Sequence, residues 1–159
     1  WEPRGEKSMP HYPPPEIVCE IVDWQERMHY IDDATGMCAG LSSFPYKPPY
    51  HIHNLPKIIG AALGIELDED SLTQISRRNR NLVRSVNIRR GMRRKDEKPP
   101  QNHWKHRFPE LEQTLIDTYY HFRGWNQDGI PTVESLTALE LDFVAEDFLE
   151  RGILAEGEV

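Results

Sequence analysis

The chain has 159 residues, enough for one domain of ordinary size, with 38% hydrophobic residues, 13 prolines and a formal net charge of −7. No run of eighteen apolar residues occurs, which excludes a spanning helix, and the opening Trp1-Glu2-Pro3-Arg4-Gly5-Glu6-Lys7 lacks the apolar core of a secretory signal. Two cysteines, Cys19 and Cys38, are too few for a disulfide scaffold, so a cytoplasmic protein is expected.

Pro10, Pro13, Pro14 and Pro15 hold residues 1–15 in turns and extended chain. A helix is predicted over 16–29, where Ile17, Val18, Ile21, Val22 and Met28 recur at helical spacing. Gly36 stands where a left-handed residue would end a helix and bring Cys38 into a loop. A second proline-rich connector covers 42–50. Leu55, Ile58, Ile59, Ala62 and Leu63 predict a helix closed by Gly64. Asp68 or Asp70 then caps a longer helix ending at Gly91, with Leu72, Ile75, Asn79, Leu82, Val83 and Val86 on its inner face and the arginines elsewhere. Residues 92–108 read as a polar loop.

Pro109 is expected to open a helix burying Leu111, Leu115, Ile116, Tyr119 and Phe122. Gly124 and Gly129 bracket a turn. Thr132 caps a short helix with Leu136 and Leu139 facing inward, and a last helix over 142–150 stops at Gly152. No segment alternates like a strand and no repeat is visible. The fold class is mainly α, with an extended, Pro-rich part and a cofactor loop in residues 1–50 and a helical domain in 51–159.

Charge is segregated. From Arg77 to Lys95 there are nine basic and no acidic side chains, so the rest of the chain carries −16. Such a run invites a nucleic-acid reading, but it contains no Phe, Tyr or Trp for base stacking, and no nucleic-acid partner is expected. An ion-pair network with acidic parts of a larger subunit, or docking of an acidic electron carrier, fits it better.

The run Asp33-Ala34-Thr35-Gly36-Met37-Cys38 places a carboxylate, a turn glycine and a thiol within six residues. A carboxylate suits a ring with amino and imino donors, yet an aspartate there equally suits a helix end or turn. Cys38 suits a metal centre, or a small buried side chain. His51-Ile52-His53 abuts Pro48-Pro49 and lacks a third well-spaced ligand, so no chemistry is assigned to it. His103 and His106, beside Trp104, stay undecided, and Cys19 reads as structural.

Three stretches occur in the order found in one known family: D-A-T-G-M-C at 33–38, Asn87 to Asp96 with Asn87, Arg89, Gly91, Arg94 and Asp96 in pattern, and Tyr119 to Thr132. The chain resembles the C-terminal helical part of aldehyde:ferredoxin oxidoreductase subunits. Arg93 to Pro100 with His103-Trp104-Lys105 looks nearest to the class II benzoyl-coenzyme A reductases within that family.

The resemblance implies a tungsten bis-pterin cofactor, or molybdenum in place of tungsten, and a [4Fe-4S] cluster. Asp33 would hold one pterin, Gly36 and Met37 would give backbone contact, and Cys38 would be one of four cluster ligands. Met37 replaces the family's leucine and keeps its apolar character. The implied activity is electron transfer between an organic substrate (an aldehyde and its acid, or benzoyl-coenzyme A) and a ferredoxin-like carrier. The remaining cluster cysteines and the acid–base residues would lie in the rest of the subunit, within an oligomer. The start at Trp1 suits a fragment or processed product, and no catalytic residue is assigned. The alternative is a non-catalytic split or remnant module that binds a partner through its basic helix.

Overall fold

The protein's computed structural model describes residues 13–38, 50–98 and 112–155. These form α1 (Pro15–Thr35), α2 (Tyr50–Leu63), α3 (Glu69–Arg89), a single 3-10 turn at Arg94–Asp96, α4 (Glu112–Arg123), α5 (Val133–Thr137) and α6 (Asp142–Glu150). Among the described residues no strand occurs, only an isolated bridge between Trp125 and Pro131, so the class is mainly α as expected.

Proline starts α1 instead of breaking it. Pro15 sits in the first turn, where its missing N–H would have no helical acceptor, and the Pro14 carbonyl accepts from Val18 N–H at 3.1 Å. The helix runs six residues past the expected end at His29. It stops at Gly36, whose φ of 70° is the left-handed state that glycine adopts without a Cβ clash. The long helix α3 is capped by Asp68, whose Oδ1 accepts from Ser71 N–H at 2.7 Å, with Glu69 and Asp70 in its first turn complementing the helix dipole.

α2 starts earlier than expected, at Tyr50, with Pro56 inside it and buried together with Leu55. The His51–His53 stretch is therefore helical. Of the face predicted for α4, Leu115, Ile116 and Tyr119 are half-buried, while Tyr120 and Arg123 are the fully buried side chains. The expected Pro109 start and Leu111 lie outside the described residues, as do residues 1–12 of the expected extended stretch, residues 42–49 of the expected connector, and His103, Trp104 and His106.

α1 packs against both α3 and α4, α2 packs on α3, and the α5–α6 pair closes against the far end of α3. Two apolar clusters result. One holds Met28, Ile31, Leu55 and Leu72, with Trp24, Met37 and Ile59 packed on it. The other holds Ile88, Ile130, Leu136, Leu141, Val144, Ala145, Phe148 and Leu154. Thr132 caps α5 by accepting from Ser135 N–H at 3.2 Å, and Leu136 and Leu139 pack inward as expected.

α3 corrects the expected inner face. Leu72 is buried, but Ile75, Leu82, Val83 and Val86 are 37, 36, 46 and 46% exposed. The buried side carries Ser76, Asn81, Arg84, Ser85 and Ile88 instead. Leu72 enters one apolar cluster and Ile88 the other, so the turns between them are polar inside and apolar outside. Phe122 is likewise exposed, and Arg123 takes the buried position beside it.

Candidate functional site

Asp33 lies in the last turn of α1 with its side chain exposed. The chain turns at Gly36, where Met37 N–H donates to the Asp32 carbonyl at 3.0 Å and the Thr35 hydroxyl donates to the Ile31 carbonyl at 2.8 Å. The Met37 side chain packs onto the Met28–Ile31–Leu55–Leu72 cluster, and Cys38 follows as an exposed thiol. The loop thus presents a carboxylate and a thiol on either side of a half-buried anchor.

Asp32 and Asp33 crowd two carboxylates onto the carboxyl end of a helix whose last turn holds no basic residue. The helix dipole disfavours that placement by ~0.3–1 kcal/mol per charge. Among the described residues no group of three or more His, Cys, Asp or Glu side chains is arranged to hold a metal ion. Cys38 thus belongs to no such group of candidate metal ligands among the described residues. Cys19 is buried on α1, and burial pushes its thiol pKa up, as a structural cysteine requires.

The helix bearing this loop is clasped by buried ion pairs. Asp23 of α1 takes Arg123 Nη1 at 2.6 Å, Arg27 Nε at 2.9 Å and, more loosely, Arg77 Nη2 at 3.5 Å. Glu26, one turn on, meets Arg80 Nε at 3.1 Å and Arg123 Nη2, and accepts from the Tyr119 hydroxyl at 2.7 Å. Burial would lower the pKa of the Arg123 guanidinium, but Tyr119, Glu26 and Asp23 hold it above its ordinary value. Ser76 completes the α1–α3 seam by donating to the Arg27 carbonyl at 3.0 Å.

A second knot sits at the middle of α3. Arg84 is buried, forks onto Glu97 at 2.5 and 2.7 Å, donates from Nε to the Gly129 carbonyl at 2.8 Å and lies 4.4 Å over the Trp125 ring. Tyr120 donates its hydroxyl to the same carboxylate. Burial raises the Tyr120 pKa, with the Glu97 hydrogen bond adding to it, to about 12. Burial would also raise the Glu97 pKa, but the Arg84 and Tyr120 hydrogen bonds and the Arg84 charge hold it below its ordinary value. Trp125 Nε1 donates to Asn81 at 2.8 Å.

Ion pairs and hydrogen bonds within the chain take up seven of the nine cations of the basic run. Of its nine cations, Arg77, Arg78, Arg80, Arg84, Arg89 and Arg94 pair with Asp23, Glu140, Glu26, Glu97, Asp147 and Asp117 of the same chain. Arg93 donates to the Ile88 and Met92 carbonyls at 2.9 and 2.7 Å. The counter-charges expected from a larger subunit are thus supplied from within. Asp23, Glu26 and Arg123 escaped the sequence reading, although Asp23-x-x-Glu26-Arg27 offered a signal: three charges on one helical face that needed partners.

Residues 2–141 match the family model "Aldehyde ferredoxin oxidoreductase, domains 2 & 3". The chain belongs to the aldehyde ferredoxin oxidoreductase family, a family of oxidoreductases. Among solved structures it is similar to the active site complex BamBC of benzoyl coenzyme A reductase, determined with 1,5 dienoyl-CoA, at 64% identity and a TM-score of 0.89. That likeness covers 99% of this chain, which spans 24% of the length of the matched one. A search of curated proteins finds no match.

Proposed function

We propose that this chain is part of a tungsten bis-pterin, [4Fe-4S] oxidoreductase subunit of the class II benzoyl-coenzyme A reductase type. The observation that carries this reading is the 64% identity through 99% of the chain to the BamBC active site complex. It favours an aromatic acyl-coenzyme A substrate over an aldehyde.

The α1 exit loop has the features such a site needs. Asp33 would accept hydrogen bonds from the amino and imino groups of one pterin. Cys38 would bind one iron of the cluster, with its other ligands supplied by the rest of the subunit. Gly36 turns the chain so that these groups flank Met37, and the half-buried Met37 side chain, packed on the core, fixes the loop between them. The metal–pterin centre and the cluster, when bound, supply two-electron and one-electron chemistry respectively. Asp33, Met37 and Cys38 would hold and orient those groups. Two carboxylates at the wrong end of a helix dipole fit a segment kept for ligand binding at some cost to stability.

In the complete enzyme, electrons would pass between a ferredoxin-like carrier or partner subunit and the acyl-coenzyme A. The competing reading, a remnant module binding through its basic helix, loses its surface, because most of those arginines are turned onto acids of the same chain.

The deciding experiment is tungsten, molybdenum and iron analysis of the native assembly, purified anaerobically. About one tungsten and four or more iron atoms per chain are expected. An intact native assembly without metal would instead support the remnant.

A further inference from the structure

The strongest unexplained feature is the outer face of α3. Ile75, Leu82, Val83 and Val86 share one side of the helix, pointing away from Asn81, Arg84, Ser85 and Ile88 on the buried side. The neighbouring α2 and the turn after it leave Ile58, Leu63 and Ile65 exposed as well, and α2 packs on α3. Between Leu72 and Ile88 the helix turns apolar side chains outward and buries two serines, an asparagine and an arginine, which reverses the ordinary arrangement. Soluble proteins seldom leave such a face in water without covering it.

We infer that the outer face of α3 is a docking surface for the part of the same polypeptide that lies outside residues 1–159. This rests on reading the chain as part of a longer oxidoreductase subunit. Two observations choose this occupant over a second copy or a separate subunit. The matched BamBC chain continues far beyond the region shared with this one, which makes up 24% of it. The helix is also already fixed from within: its inner face is joined to α1 by the Asp23 and Glu26 pairs and to Glu97 and the Gly129 turn by Arg84. An interior helix of a larger fold needs both of its faces covered, and among the described residues Ile75, Leu82, Val83 and Val86 are left open.

The face also defines its partner's chemistry. Arg90, exposed and four residues beyond Val86, shares its side of the helix. The complementary surface is therefore aliphatic along most of its length, with an acidic group opposite Arg90.

The test places a photo-reactive side chain on the face. Val83→benzoylphenylalanine keeps the position apolar, and its exposure leaves room for the ring. The complete subunit in its native assembly is irradiated, and the cross-linked peptides are mapped. The expected result is a cross-link within a single polypeptide, at monomer mass on a denaturing gel, to a residue outside 1–159. A band at the mass of two chains, a cross-link to another subunit, a cross-link within residues 1–159, or none at all would each overturn the inference. Metal analysis of the same preparation reports separately on the functional reading. Tungsten and iron present with the wrong cross-link removes this inference alone.

Discussion

Gly129 shows how closely the polar interior is built. Its φ is +73°, and a Cβ there would lie 2.1 Å from Arg84 Nη2 and 2.7 Å from the Tyr120 ring. Gly129→Ala must therefore adopt a strained backbone and also displace a buried arginine held by four contacts. We expect a loss of ~2–4 kcal/mol in denaturant unfolding of the complete protein, well above the ~1 kcal/mol of an ordinary glycine replacement. A loss below that ordinary value would mean that Arg84 yields easily and that the knot is looser than its distances imply. The same knot sets a pH response. Glu97 sits below its ordinary value of 4.5, so its contribution is present above that pH and is lost as pH falls through the folded value. Tyr120 is raised from 10.0 to about 12, so its contribution is complete below pH 10 and is lost as pH rises through 12. Thermal scans against pH should show both flanks. Tyr120→Phe should flatten the alkaline flank, and an unchanged flank would assign that loss to other groups.

Among the elements, capping and clasping separate cleanly. Asp68→Ala removes the side-chain acceptor for Ser71 N–H and should cost ~1 kcal/mol, whereas Asp68→Asn should cost a few tenths. Arg123→Ala leaves the buried Asp23 carboxylate with Arg27 and the more distant Arg77, and frees Glu26 of one partner. Its expected cost is ~3 kcal/mol, the low end for breaking a buried pair, because those partners remain. If equilibrium unfolding gave the two substitutions equal cost, the ion pairs would not be what joins α1 to α4.

These elements also mark what was legible in the sequence. Caps and stops are local chemistry, so Asp68, Thr132, Gly36 and the mainly helical class could be read directly. Which side of α3 faces inward could not. Apolar periodicity reports a face that avoids water and does not say which body covers it, and here the core side is closed by arginine–carboxylate pairs far apart in sequence, as Asp23 with Arg77 and Arg123, 54 and 100 positions away. The candidate loop was legible as residues, since 33–38 is continuous, but Met37's seat in the core depends on α2 and α3 and no local pattern announces it.

For the molecule as a whole, the two thiols offer an internal control. Cys38 is exposed just beyond a helix end, whereas Cys19 is buried with its pKa raised by that burial. A thiol must ionise to bind iron, and burial in an apolar setting opposes ionisation. If the loop contributes a cluster ligand, Cys38→Ser in the complete enzyme should lower iron per chain and weaken the cluster's paramagnetic signal, while tungsten falls less. Cys19→Ala should leave both near the unaltered protein and cost only ~1–2 kcal/mol in packing. Equal iron in all three proteins would remove Cys38 from the cluster. Equal losses in both variants would instead show that iron is lost through loosening of α1, because the two cysteines share that helix and its exit but not the same access to a metal.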